Sequence, residues 1–180
     1  MRLAFTDMDG VLNKNFDNCS NSRHIYNDRF SHTVTTGSGQ TCELTYVDPE
    51  LAARVSKLIT DYDMHIVAST SWRLYWSQED FKELLTLRGL PGERLVGYTP
   101  NLIKDSWFGS SICRADEIRA FLNGFDSPVE FCIVLDDDPE AWKGSDPKIM
   151  FCKTDFDEGY TKEDDEGVRK WIEEFLRKEN

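Results

Sequence analysis

Three short apolar runs in this chain each stop at a cluster of oxygen-bearing side chains, and that pattern restricts the fold more than any other feature. Residues 3–6 (Leu-Ala-Phe-Thr) end at Asp7-Met8-Asp9-Gly10. Residues 64–68 (Met-His-Ile-Val-Ala) end at Ser69-Thr70-Ser71, and residues 129–135 end at Asp136-Asp137-Asp138. Apart from His65 and Glu130 these runs are apolar, without regular polar alternation, which is the mark of strands buried on both faces. Between them lie stretches with helical spacing. Asp48-Pro49 opens one helix, with Leu51, Val55, Leu58 and Ile59 on a single face. Others are expected over 77–88 (Phe81, Leu84, Leu85) and 114–123 (Ile118, Phe121, Leu122). A last one, capped by Thr161 and Asp164, carries Val168, Trp171, Ile172 and Phe175. Residues 93–99 and 148–152 read as two more extended pieces, and 100–112 as irregular.

Strands alternating with helices predict an α/β fold built on a mainly parallel sheet. At 180 residues, with no long linker and no internal repeat, residues 1–180 are expected to form a single domain. Residues 13–32 are polar and without period, and read as loop. Residues 32–36 and 41–47 flank Gly37-Ser38-Gly39-Gln40 and predict a β-hairpin, so 13–47 reads as a loop-plus-hairpin flap. In parallel sheets the active site lies beyond the carboxyl ends of the strands. The three oxygen-rich strand ends are therefore candidates for one site, provided the strand order brings them together.

Asp7 and Asp9 flank one residue just past a strand, with Gly10 giving the chain freedom to turn. Two carboxylates so placed can share one divalent cation and divide labour between a nucleophile and a general acid/base; a plain Asp-Gly turn is the simpler alternative. Three acids after a buried strand repel one another, since like charges about 4 Å apart cost about 4 kcal/mol at an effective dielectric near 20. A Mg²⁺ ion with oxygen ligands relieves them, as would exposure at a helix N-cap. Hydroxyls at Ser69, Thr70 and Ser71 could hold phosphate oxygens, with Arg73 aimed at the same anion or paired on the surface. Arg114 begins a helix, where a cation opposes the helix dipole. That placement fits a residue that offsets the site's carboxylates, or an exposed Arg paired with Glu117 or Glu130.

In order along the chain, these signals resemble the haloacid dehalogenase (HAD) superfamily of phosphohydrolases. Residues Phe5 to Leu12 look like its first motif, Ser69 (or Thr70) its second, Arg114 its third and Leu135 to Asp138 its fourth, a resemblance spanning residues 3–155. Ala68 to Arg73, Val96 to Pro100, Arg114 to Leu122, Lys153 to Asp155 and Gly159 to Thr161 are similar to the HAD domains associated with Swiss Army knife RNA-repair proteins. The resemblance implies a three-layer Rossmann-like HAD fold, capless or with the small hairpin flap. It implies catalysis by Asp7, Asp9, Ser69 and Arg114, and substrate binding by Thr70, Ser71 and Arg73. Mg²⁺ would be held by Asp7, the backbone carbonyl of Asp9 and Asp136, with Asp137 at the metal through a water or orienting a ligand. Asp7 would be the nucleophile of an aspartyl-phosphate mechanism and Asp9 its general acid and base. The sequence departs from the family pattern in two ways. Arg stands where Lys is usual, and three consecutive acids leave Asp137 and Asp138 competing for the last metal position.

With 33 acids against 21 Lys and Arg, the net charge of -12 disfavours charge-driven binding to nucleic acid or anionic lipid. Residues 155–166 alone hold seven acids and one lysine and read as a solvated turn and helix start. No apolar run is long enough for a membrane span, and Asp7 interrupts the place where a signal peptide would be apolar. Five cysteines without CxxC spacing read as reduced thiols of a cytoplasmic protein. The substrate expected is a phosphorylated one. A capless, open site suits a nucleic-acid end, with Trp72, Tyr75, Trp76, Trp107 and Phe108 as stacking candidates or core packing. The alternatives are a nucleotidase or other small-molecule phosphatase, a phospho-receiver, and a non-catalytic HAD-fold binding module.

Overall fold

The protein is described by a computed structural model covering residues 1–13, 32–35, 39, 41–44, 47–102 and 113–179. Strand β1 (Arg2–Thr6) is followed by β2 (His32–Thr35) and β3 (Thr41–Leu44), helix α1 (Pro49–Asp61) and β4 (Met64–Ala68). A 3₁₀ turn (Ser71–Leu74), α2 (Gln78–Leu87), β5 (Leu95–Tyr98), α3 (Arg114–Asn123), β6 (Phe131–Asp136), β7 (Ile149–Lys153) and α4 (Lys162–Glu179) complete the order. The expected hairpin is present as a separate antiparallel pair in which Val34 faces Cys42. The irregular stretch expected over 100–112 lies mostly outside the described residues.

The main sheet has the order β5-β4-β1-β6-β7, and every pairing in it is parallel. The chain leaves β1 towards β4 and β5, then returns to the other side of β1 for β6 and β7. The direction of winding thus reverses between β1 and β6, which opens a crevice at their carboxyl ends.

Side-chain alternation divides the core. Ala4, Ile66, Ala68, Ile133 and Leu135 pack under α1 and α4 together with Leu58, Ile59, Val168 and Ile172. Leu3, Phe5, Val67, Cys132 and Val134 pack under α3 through Ala115 and Ile118. Because Thr6 pairs with Leu135 across β1 and β6, the next residues, Asp7 and Asp136, come side by side. By the same alternation both fall on the α3 face.

Local signals end the helices where the sequence expects. Asp48 accepts from Glu50 N and Leu51 N at the start of α1, with Pro49 in the first position. Thr161 and Asp164 form a reciprocal box at α4: Asp164 N donates to Thr161 Oγ1 at 3.1 Å and Thr161 N to Asp164 Oδ2 at 2.9 Å. Cys113, Cys132 and Cys152 are free thiols. Among the described residues, no helix is long and apolar enough to cross a membrane.

Candidate active site

Asp7 and Asp136 anchor the crevice. Asp7 N donates to Leu135 O at 3.0 Å, which continues the β1–β6 ladder one residue past the strand. Asp7 Oδ1 accepts from Met8 N at 2.7 Å, and the Thr70 side chain beside this carboxylate favours its ionised form. Arg114, the first residue of α3, aims its guanidinium back at the sheet. Its Nη1 lies 2.6 Å from Asp7 Oδ2 and 3.1 Å from Asp136 Oδ2, and it donates to the Ser69 carbonyl. The surface pairing with Glu117 or Glu130 is not adopted: Glu117 is taken by Arg73, and Glu130 by Arg2. The cation at a helix start is compensated by Asp116 and Glu117 in the same turn.

Burial dominates the electrostatics. It pushes the Asp7 carboxyl up to about 6, against the opposing pull of Arg114, Met8 N and Thr70. Burial and then the charge of Asp7 push Asp136 up to about 8. Burial also raises Asp137. Carboxylate oxygens of Asp7, Asp136 and Asp137 all lie within 4.8 Å of one another. Asp136 is completely buried, and its Oδ2, though close to Arg114, receives no hydrogen bond. An orphaned buried carboxylate oxygen beside two others is the hard-oxygen donor set that a small divalent cation needs.

Local geometry sets Asp137 and Asp138 apart. Asp138 N donates to Asp136 Oδ1 at 2.9 Å, while the Asp138 carboxylate turns away to accept from Glu140 N at 2.8 Å. Asp137 stays in the cluster and packs against Gly10, where an added Cβ would come within 2.6 Å of Asp137 Cγ. Gly10 has φ +69°, so a side chain there is disfavoured on both counts.

Asp9 lies outside the three-carboxylate group. Its Oδ1 accepts from Asn13 Nδ2 at 2.7 Å and its Oδ2 from Trp72 Nε1 at 2.9 Å. Asn13 Oδ1 in turn accepts from Gly10 N at 2.9 Å, closing the loop after β1. Neither Asn13 nor Trp72 was assigned to Asp9 from the sequence. An Asn four residues after an acid is a usable local signal; the Trp72 contact is a tertiary one with none.

Of the strand-end hydroxyls, Thr70 meets Asp7, whereas Ser69 Oγ is buried without a partner and Ser71 is exposed. Arg73, expected to aim at the anion, differs. Its Nη2 lies 2.5 Å from Glu117 Oε2 in an ion pair whose side chains are 7% and 5% exposed, and it also donates to Thr70 O. The pairing draws Arg73 towards α3 because Glu117 is the buried carboxylate it can reach. Among the stacking candidates, Trp76 is core, Trp72 is engaged with Asp9, and Tyr75 is 73% exposed. Trp107 and Phe108 lie outside the described residues.

Asp7 and Asp136 at the winding reversal of a Rossmann-like parallel sheet, with a second Asp two residues after the first, define a class: the HAD superfamily of phosphatase-type hydrolases. The chain belongs to the family described as HAD domain in Swiss Army Knife RNA repair proteins, whose profile matches residues 3–164. Among solved structures, it is similar to the crystal structure of the Legionella pneumophila effector Ceg4, with 14% identity and a TM-score of 0.48 over 95% of this chain and 94% of that one. A search of curated protein sequences finds no match.

Proposed function

We propose that the protein is a Mg²⁺-dependent phosphatase that hydrolyses phosphate monoesters through an aspartyl-phosphate on Asp7. The observation that carries this reading is the grouping of Asp7, Asp136 and Asp137 oxygens within 4.8 Å, with Arg114 at 2.6 Å from Asp7. Asp7, Asp136 and Asp137 would hold the ion, with the Asp9 carbonyl as a further ligand. When bound, it would supply positive charge to the carboxylates and to the phosphoryl oxygens.

In the first step an Asp7 oxygen forms a bond to phosphorus as the bond to the leaving oxygen breaks. The electron pair departs with that oxygen, and Asp9 supplies its proton. In the second step water attacks phosphorus and gives a proton to Asp9. The bond to Asp7 breaks, its electron pair returns to the carboxylate, and inorganic phosphate leaves. Arg114 steadies charge on the equatorial oxygens throughout, the kind of preorganised electrostatic contribution that usually dominates. The Thr70 hydroxyl, beside Asp7, is a neutral donor for a phosphate oxygen, with Ser69 and Ser71 flanking it.

For the substrate, we favour a phosphorylated nucleic-acid end. The family's link to RNA repair and the exposed Tyr75 next to the site turn support it. The test is Mg²⁺-dependent phosphate release from 3′- and 5′-phosphorylated oligonucleotides compared with mononucleotides. Higher kcat/KM on the oligonucleotides supports the nucleic-acid reading. Preference for mononucleotides replaces it with a nucleotidase, and no release from any phosphomonoester leaves a binding module.

A further inference from the structure

The 3₁₀ turn that follows β4 touches the site from two directions through consecutive residues. Trp72 reaches Asp9, with Nε1 to Oδ2 at 2.9 Å, and Arg73 reaches Glu117 on α3. The turn itself is fixed. Thr70 caps it by accepting from Trp72 N at 3.3 Å, and the Arg73–Glu117 ion pair is buried at 7% and 5% exposure. Glu117 also accepts from Leu102 N at 3.2 Å. The Trp72 ring packs against the core that holds Ile66 and Ala68, so its N–H points in one direction.

We propose that Trp72 is a positioning residue for Asp9: its indole N–H, opposed by the Asn13 amide, fixes the plane of the carboxylate that exchanges protons with the leaving group. The inference rests on the phosphatase reading of the site. A carboxylate oxygen has two acceptor positions. The indole occupies one position on Oδ2 and leaves the other free to carry a proton. Asn13 does the same on Oδ1 at 2.7 Å. Held from both sides, Asp9 cannot swing into the Asp7–Asp136–Asp137 group, where it would add a fourth negative charge to the cluster and be lost as a proton donor. Trp72 is thereby a rigid hydrogen-bond donor at the back of the site and is withdrawn from stacking on a substrate.

The test compares Trp72→Phe, which keeps an aromatic ring and removes the N–H, with wild type and Asp9→Asn in the first turnover. Leaving-group release is followed from p-nitrophenyl phosphate, whose leaving group needs little protonation, and from a simple alkyl phosphate, whose leaving group needs it. The variant is expected to release the alkyl alcohol about 10–100-fold more slowly, while nitrophenol release falls only about two- to threefold and KM for both stays near wild type. A second readout holds even if that variant folds poorly. In ¹⁵N-labelled protein the Trp72 indole resonance should move when Asp9 is changed to Ala. Equal losses on both substrates, wild-type rates on both, or an unmoved indole resonance overturn the positioning role while the phosphatase reading stands. A wild-type protein inactive on both substrates overturns the phosphatase reading and the positioning role with it.

Discussion

Arg114 Nη1 stands 2.6 Å from Asp7 Oδ2 and 3.1 Å from Asp136 Oδ2, so one guanidinium at the start of α3 faces two buried carboxylates at the ends of adjacent strands. Those acids are neighbours because the register of β1 and β6 leaves them opposite each other after Thr6 and Leu135. Removing the cation exposes both to mutual repulsion and, in the proposed mechanism, takes positive charge from the transferring phosphoryl group. Arg114→Met is expected to lower kcat/KM by about 10²–10³-fold, comparable to the loss of an oxyanion-stabilising donor. Arg114→Lys should recover part of it, since an ammonium supplies charge without the planar fork. Steady-state kinetics on p-nitrophenyl phosphate measure both.

The same pair of acids is expected to make stability depend on pH and on Mg²⁺. Burial raises Asp7 to about 6 and Asp136 to about 8, above the ordinary 3.8. Both groups therefore bind protons more tightly folded than unfolded. Their contribution to stability is full below the ordinary value and is lost as pH rises through about 6 and about 8. In chelator the melting temperature should fall from about pH 4 to about pH 8 and level off above that. Mg²⁺ should raise it more at the alkaline end, where the carboxylates are ionised and free to bind it. Asp136→Asn should flatten the metal-free slope. Thermal melts across pH, with and without Mg²⁺, check all three.

Gly10→Ala should disturb the three-carboxylate group by direct contact. The backbone at φ +69° resists a side chain, and the new Cβ would press within 2.6 Å of Asp137 Cγ. A stability loss of about 1–2 kcal/mol is expected, together with weaker Mg²⁺ binding as Asp137 is displaced. Chemical denaturation and calorimetric titration with Mg²⁺ separate the two effects.

The Arg73–Glu117 pair is a structural bond between the site turn and α3. Arg73→Met strands a buried carboxylate and should cost about 3–5 kcal/mol. Arg73→Met combined with Glu117→Gln should regain much of that, because the amide oxygen still accepts from Leu102 N and no charge is left buried. Urea denaturation of the single and double variants reads the difference.

The strands and helices were legible because their signals are local. The apolar run at 64–68 is β4, and Asp48-Pro49 does cap α1. That three strand ends carry oxygen-rich side chains was equally plain. Their convergence was not, since it depends on β1 lying between β4 and β6, which no single run encodes. The choice between Asp137 and Asp138 turned on which carboxylate closes a local turn towards Glu140 N. Residue type alone offers Arg73 as an anion binder or a surface ion-pair partner, and Trp72 as a stacking ring or core packing. Their partners, Glu117 and Asp9, lie on other elements and become neighbours only when the sheet and α3 are assembled.

If Asp7 is the nucleophile of a Mg²⁺-dependent phosphatase, p-nitrophenyl phosphate turnover by folded wild-type and Asp7→Asn protein, with Mg²⁺ and with chelator, must distinguish the two proteins. The expected result is turnover by the wild type with Mg²⁺, none in chelator, and none by Asp7→Asn in either condition. Near wild-type turnover by Asp7→Asn would rule out Asp7 as the nucleophile.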